Sequence, residues 1–194
     1  MFSETIILRA FVVLLLIART IYWRIEEAKA YSAKPMTQHR TSFIKSHIIV
    51  RNLMNIFVFA QLLGLSILSF NKNLVTEMIG AVICILAFIC SILARYALGV
   101  NWTDSAESQI KEKHSVVTSG IYKYIRHPIA VGYCFFIIGV ELLVGSLLVI
   151  PVAIGLFVGA YIQSRIEEAL LIQQFGKEYK DYMKNTKMFI PYIW

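Results

Sequence analysis

The sequence predicts an all-α integral membrane protein of five transmembrane helices, forming one domain over residues 1–194. Three observations carry that expectation. Hydrophobic residues make up 58% of the chain and charged residues 16%, where a soluble domain averages about a quarter charged. Mean hydropathy is +0.65, which places the chain in the membrane class before any segment is inspected. Apolar runs of spanning length recur along it, and the Lys and Arg behind its net charge of +7 gather in the polar stretches between them.

Taken in order, residues 6–23 form the first span, since a membrane helix needs roughly 20 mostly apolar residues. Arg9 and Arg19 lie near its ends, where long stems can snorkel to the headgroups. An acid rather than a basic cluster precedes this run and no small-residue cleavage site follows, so it reads as a retained span. Residues 53–70 and 74–99 form the second and third spans. The "NKN" link between them predicts an antiparallel helical hairpin. The nearly uncharged stretch 129–163 is too long for one ordinary span at about 1.5 Å per residue. It breaks at residues 145–151, giving a fourth span over 129–144 and a fifth over 147–163. Glu141, just before the break, is expected to face water or a partner helix. Residues 164–194 make a cytoplasmic, helical tail.

Charge sets the orientation. The loop 24–51 holds six Lys or Arg, the loop 100–128 four and the tail five, while the opposite side has Lys72 and little else. The positive-inside rule then puts the N-terminus outside and the long loops and tail in the cytoplasm. The sequon at Asn101 faces the cytoplasm in that arrangement and stays unglycosylated. Nearly all non-helical chain falls on one face, and any chemistry belongs there.

Several classes are excluded by absence. Cys84, Cys90 and Cys134 lie inside apolar runs without metal-ligand spacing and read as small buried hydrophobes. His39, His47, His114 and His127 form no helical metal pair, and His39 and His47 are left unassigned. No dinucleotide-binding glycine motif, P-loop or nucleophile elbow is present. The basic balance belongs to cytoplasmic loops rather than to a nucleic-acid partner.

Two segments concentrate polar side chains at the membrane edge. In "HSVVTSGIYKYIRHP", "TSG" reads as a turn and a short helix can begin after Gly120. His127 precedes Pro128, which disfavours helical backbone at His127, and Pro128 suits the first turn of the next span. Arg126 and His127 therefore project at a helix N-terminus, where backbone amides favour anions, and Tyr122 lies about one turn earlier. On residue types alone an interfacial anchor is the favoured reading of Tyr and Arg here. In the second segment, "RIEEALLIQQFGKEYKDY", Glu167 and Glu168 sit about 100° apart round a helix, so one must turn toward the protein. Charges this close to hydrocarbon are paired or line a wet cavity. Leu170, Leu171, Phe175, Tyr179 and Tyr182 give an apolar stripe suited to an interfacial helix that closes over the body, although a solvated basic tail fits the same pattern.

These two motifs, with a hydrophobic hairpin between them, resemble the isoprenylcysteine carboxyl methyltransferases and the wider group that includes phospholipid methyltransferases. The resemblance covers about the last half of the chain, from His114 onward. It departs from the usual R-H-P-x-Y-x-G pattern at Ala130, where the tyrosine is missing. It implies S-adenosylmethionine as donor, no metal, and a cytoplasmic cofactor pocket formed by loop segments and a C-terminal helix. Carried over by motif, His114, Val116 and Val117 would line the adenosine portion. Tyr122, His127 and Pro128 would hold the methionine portion. Glu168, with Glu167, would face the hydroxyls or the ammonium. Arg165 and Glu167 would be the catalytic residues, Arg165 meeting an anionic group of the acceptor.

The chemistry suits such a site. Methyl transfer from a sulfonium is an in-line displacement in which positioning carries much of the rate. A carboxylate acceptor is already ionised at neutral pH and needs an arginine to orient it. A lipid amine would need a base, and a glutamate is the natural candidate. The resemblance thus implies methylation of a prenylated cysteine or similar lipid-linked acid that enters from the bilayer. The alternatives are a phospholipid amine N-methyltransferase, an NADPH-dependent sterol-reductase-like enzyme, and a non-enzymatic lipid-binding scaffold.

Overall fold

The computed structural model describes residues 2–30, 35–38, 42–65, 68–70, 73–102, 109–111 and 115–193. Its helices are α1 (Phe2–Ala30), α2 (Ser42–Leu62), α3 (Leu74–Leu98), α4 (Pro128–Val144), α5 (Val149–Phe175) and α6 (Lys177–Asn185). Among the described residues the architecture is helical apart from a short antiparallel ribbon of β1 (Pro35–Gln38) and β2 (Gln109–Lys111), which joins the two long loops and which the sequence pattern does not announce.

Three described helices are long and apolar enough to cross a membrane: Thr5–Glu26 within α1, then α3 and α5; Ile49–Leu62 and α4 are shorter apolar helices. Ile6, Leu14, Ile21, Val82, Leu86, Leu93, Ile150, Ile154 and Val158 are all exposed. Exposed aliphatic side chains spread along several helices fit a lipid-facing surface rather than a solvated one. The chain is an integral membrane protein.

Helix ends follow local chemistry. Asn73 caps α3: its side chain accepts from the Thr76 amide at 2.9 Å, and the Thr76 hydroxyl accepts from the Asn73 amide at 3.2 Å, a reciprocal capping box. His127 occupies the cap position of α4 with φ −123° and ψ 55°, and Pro128 opens the helix, as the missing proline amide allows. Gly145 ends α4 in the left-handed region at φ 72°, its N–H reaching back to the Glu141 and Leu142 carbonyls. L-residues with a Cβ rarely adopt that conformation.

The core is built on α3 and α4. A Cβ on Gly80 would lie 2.6 Å from the Gly139 carbonyl oxygen and 2.6 Å from the Leu143 nitrogen, and one on Gly139 would lie 2.8 Å from the Gly80 carbonyl oxygen. Gly132 abuts Ser91 and the Ala87 carbonyl. Gly80, Cys84, Ala87 and Ser91 share their 4-3-4 spacing with Gly132, Phe136, Gly139 and Leu143, so a small-residue stripe on α3 meets an α4 face that comes close at Gly132 and Gly139. Such packing lets membrane helices approach closely. Val12 of α1 and Val58 of α2 complete the buried cluster.

This packing corrects the expected hairpin. The principal partner of α3 is α4, not α2. The α2 helix stops at Leu62, earlier than the span 53–70 implied; at Gly64 φ is 109°, which a helix cannot continue. The described part of the connection pairs instead with the α4–α5 turn, through Phe70 N to Gly145 O and Leu147 N to Leu68 O, both at 2.8 Å. Glu141 is fully buried and faces α2, accepting from Gln61 Nε2 at 3.3 Å. Toward the C-terminus, α5 runs unbroken to Phe175, carrying the fifth span directly into the helical tail, and bends into α6 at Gly176.

Candidate active site

The segment before α4 is held by the chain end. The Arg126 amide donates to the Lys187 carbonyl at 2.8 Å and the His127 amide to the Met188 carbonyl at 3.2 Å, while the Lys187 amide returns a bond to the Tyr124 carbonyl at 3.3 Å. The 3₁₀ turn Gly120–Lys123 precedes it, and the Tyr182 hydroxyl of α6 donates to the Tyr122 carbonyl at 2.7 Å. Sixty residues of separation thus converge on one corner, where Tyr122, His127, Tyr179 and Tyr182 are buried.

At that corner the acidic pair of α5 divides. Glu168 is inward: its Oε1 accepts from Arg126 Nε at 2.6 Å and lies 3.2 Å from His127 Nε2. Only 2% of its side chain is exposed. Its Oε2 makes no hydrogen bond, with Arg165 Nη1 at 3.7 Å. Glu167 is 43% exposed, 3.9 Å from His127 Nδ1, and lines a cavity of about 630 Å³. The two carboxylates therefore differ in kind. Glu168 fixes Arg126 and His127, while Glu167 offers charge to whatever enters.

The cavity has two ends. Val116, Val117, Tyr122, His127 and Glu167 line a polar end, and Leu148 at the cap of α5, with Val152, Gly155, Leu156 and Gly159 on α5, line an apolar trough. The α5 lining recurs every three or four residues over most of the helix, as one face of an α-helix must. Leu170, Leu171, Phe175, Tyr179 and Tyr182 close the polar end. Burial, with the Glu167 carboxylate as the next cause, pushes the Tyr122 hydroxyl well above the usual tyrosine range. Burial likewise raises Tyr179, and raises Tyr182 to about 12. All three stay neutral hydrogen-bonding groups at physiological pH.

Of the residues singled out in the sequence, Val116, Val117, Tyr122, His127 and Glu167 come together on the cavity wall. Glu168 and Pro128 are buried behind it. His114 lies outside the described residues. Arg165 is not on the wall, contrary to its expected place at the acceptor: its side chain is 59% exposed. Two residues before Glu167 is about 200° round the helix, so the phase that puts Glu167 on the wall turns Arg165 away from it. Arg126, undecided between anchor and site, is the inner partner of Glu168 and also touches the cavity. Sequence reasoning missed Arg19, Trp23, Arg51 and Tyr133, which line the cavity from α1, α2 and α4. A signal existed: arginines inside apolar runs mark wet cavities as often as snorkelling ends.

Residues 75–178 match the family model described as phospholipid methyltransferase. The chain is 32% identical over 117 residues to a protein-S-isoprenylcysteine O-methyltransferase of Tribolium castaneum, covering 59% of this chain and 41% of that one. It is 25% identical over 198 residues to the protein of that name from Saccharomyces cerevisiae, covering 93% of this chain and 79% of the relative. A solved structure of the eukaryotic intramembrane Ras methyltransferase, isoprenylcysteine carboxyl methyltransferase, superposes with a TM-score of 0.55 at 25% identity, over 78% of this chain and 51% of that chain. The chain thus spans less than half the length of the Tribolium relative and about half of the solved one.

Proposed function

The chain belongs to the phospholipid methyltransferase family, and from that premise we propose that it transfers a methyl group from S-adenosylmethionine to the carboxylate of a prenylated cysteine or similar lipid-linked acid. The observation that carries the reading is the single cavity joining a polar end at His127 and Glu167 to an apolar trough along α5. A water-soluble donor and a lipid acceptor need such a site with two kinds of wall. The names of the relatives supply the acceptor class. In this reading five helices span the membrane, the N-terminus is outside, and the polar end of the cavity and the C-terminus are cytoplasmic.

The residues present fit the donor. Glu167 offers a carboxylate to a cationic ligand, Val116 and Val117 an apolar wall, and Trp102 an aromatic face beside them. When bound, S-adenosylmethionine supplies an activated methyl group on its sulfonium. Glu167 would hold its positive charges, His127 and Tyr122 the methionine portion, and Val116 and Val117 the adenosine portion. Glu168 keeps His127 in place from behind, and Arg165 stands by the outer oxygen of Glu168 as a positioning group. A carboxylate acceptor arrives ionised, so the protein's task is alignment and exclusion of water.

A second reading, N-methylation of a phospholipid amine, is favoured by the description of the matching family and by the position of Glu167, which could take the amine's proton. Binding separates both from a reductase or a scaffold. Detergent-solubilised protein is expected to bind S-adenosylhomocysteine and to ignore NADPH. Absence of S-adenosylhomocysteine binding would sink both methyltransferase readings.

A further inference from the structure

The chain end that holds the segment before α4 carries an apolar turn on its outside. Ile190, Pro191, Tyr192 and Ile193 are all exposed, Tyr192 at 82% and Ile193 at 77%. The Ile193 amide donates to the Ile190 carbonyl at 3.3 Å and closes the turn. Pro191 stands second in it, and Tyr192, third, has φ 66°. That is the pattern of a type II turn, whose third position ordinarily takes glycine. A tyrosine is strained there and glycine would relieve it, so the exposed ring is kept for a contact outside the chain.

The height of the turn in the fold identifies that contact. The Arg126 and His127 amides donate to the Lys187 and Met188 carbonyls, so the turn begins two residues beyond the level at which Pro128 opens α4. The α4 helix is apolar, and in the five-span arrangement its first turn marks the membrane edge. Phe189, just before the turn, is buried with its ring 6.0 Å from that of His127. Lys123, Tyr124 and Lys187 are exposed beside it, the Lys187 amide bonded to the Tyr124 carbonyl at 3.3 Å. Lys184, nearly one turn earlier on α6, is offset locally by Asp181 at 2.7 Å. Aromatic and aliphatic side chains flanked by lysines suit the boundary between acyl chains and headgroups. Lysine stems can lie along the apolar layer while their ammonium groups reach lipid phosphates. The turn borders the lipid-facing surface of the helices, so the bilayer is the neighbour it meets, and the lysines select anionic headgroups.

We propose that the Ile190–Ile193 turn, with Lys123 and Lys187 beside it, seats on the anionic headgroups of the bilayer and thereby holds closed the strap behind His127. The apolar turn and the two charges supply the two signals that stable surface attachment needs. Seating is transmitted through the backbone bonds from Arg126 and His127 to Lys187 and Met188. It depends on α4 crossing the membrane and is independent of the reaction carried out in the cavity.

Hydrogen–deuterium exchange of the full chain reads both parts. The protein is placed in nanodiscs of phosphatidylcholine alone or mixed with phosphatidylglycerol, and peptides covering residues 80–91, 120–130 and 184–194 are followed. With phosphatidylglycerol present, 120–130 and 184–194 are expected to exchange about 5- to 25-fold more slowly, the worth of one to two lysines near an anionic surface. The α3 peptide 80–91 should exchange alike in both. The Lys123→Gln/Lys187→Gln double variant is expected to lose the difference between the lipids. Tyr192→Ser/Ile193→Ser should exchange faster than wild type over 184–194 in both lipids. In both variants an unchanged 80–91 shows the fold intact. Wild-type exchange that is equal in the two lipids overturns the anionic seat, as does a lysine variant that keeps the wild-type difference. Slowing of 184–194 without 120–130 overturns the link to the strap. Slowing that follows protein concentration in detergent, with no effect of lipid, assigns the turn to a second copy of the chain and also overturns the seat.

Discussion

Arg126 Nε and Glu168 Oε1 form an ion pair of 2.6 Å whose side chains are 8% and 2% exposed. The pair joins the segment before α4 to α5, and through the Thr186 carbonyl it also joins the chain end. His127 rests on the same carboxylate oxygen. One buried acid therefore sets the geometry of the polar end of the cavity without standing on its wall.

Breaking such a pair leaves an uncompensated buried charge. Glu168→Ala is expected to destabilise the protein by about 3–5 kcal/mol and to weaken S-adenosylhomocysteine binding as His127 loses its support. Glu168→Gln, which keeps an acceptor for Arg126, should fall between Glu168→Ala and wild type. Thermal unfolding in detergent reads the order. Equal melting temperatures for all three proteins would remove Glu168 from its structural role.

Glu167 should behave oppositely. Its side chain is 43% exposed and lines the cavity, so Glu167→Gln is expected to leave the melting temperature nearly unchanged. The same variant should lower affinity for S-adenosylmethionine about 10- to 100-fold, the worth of a hydrogen bond to a charged group. Calorimetric titration checks this, and wild-type affinity would contradict the assignment.

The three tyrosines give a pH dependence. Burial raises Tyr122, Tyr179 and Tyr182 in the folded protein, Tyr182 to about 12, against about 10 in an unfolded chain. Above pH ~10 the unfolded state has released protons that the folded state retains, so stability falls as pH rises. The contribution is fully present below pH ~10 and is lost as pH climbs toward the folded values. Tyr182→Phe is expected to flatten the alkaline fall in melting temperature. It should also cost about 1–3 kcal/mol at neutral pH, because the buried Tyr122 carbonyl loses its donor. An alkaline profile identical to wild type would contradict the burial argument.

The α3–α4 seam predicts a contrast between glycines. Gly80→Ala places a methyl 2.6 Å from backbone atoms of Gly139 and Leu143, and overpacking of this kind costs about 1–3 kcal/mol. Gly155→Ala, with nothing within 4 Å, should be tolerated. Melting temperatures of the two variants, compared side by side, decide the point.

Local chemistry was legible in the sequence and long-range pairing was not. The break at His127–Pro128, the turn at Gly120 and the stop at Gly145 follow from backbone rules that act over a few residues. The division of labour between Glu167 and Glu168 follows from helix geometry once one face is buried. The pairing of α3 with α4 rather than with α2 was hidden, because "NKN" specifies a turn but not which helices mesh; the small-residue stripe of α3, with Gly132 and Gly139 at matching spacing on α4, was the available clue. Arg19 reads in the sequence as a snorkelling end and Arg51 as a loop charge, because each lies near the edge of an apolar segment. That Arg165 lies off the cavity wall was not legible, because a motif conveys order along the chain, while helical phase depends on which face packs.

The most direct test of the account offers the full chain radiolabelled S-adenosylmethionine with N-acetyl-S-farnesylcysteine and, separately, with phosphatidylethanolamine in detergent micelles. The account predicts label in the farnesylcysteine as a base-labile methyl ester, with no label in the phospholipid. Label in phosphatidylethanolamine and none in farnesylcysteine would contradict it.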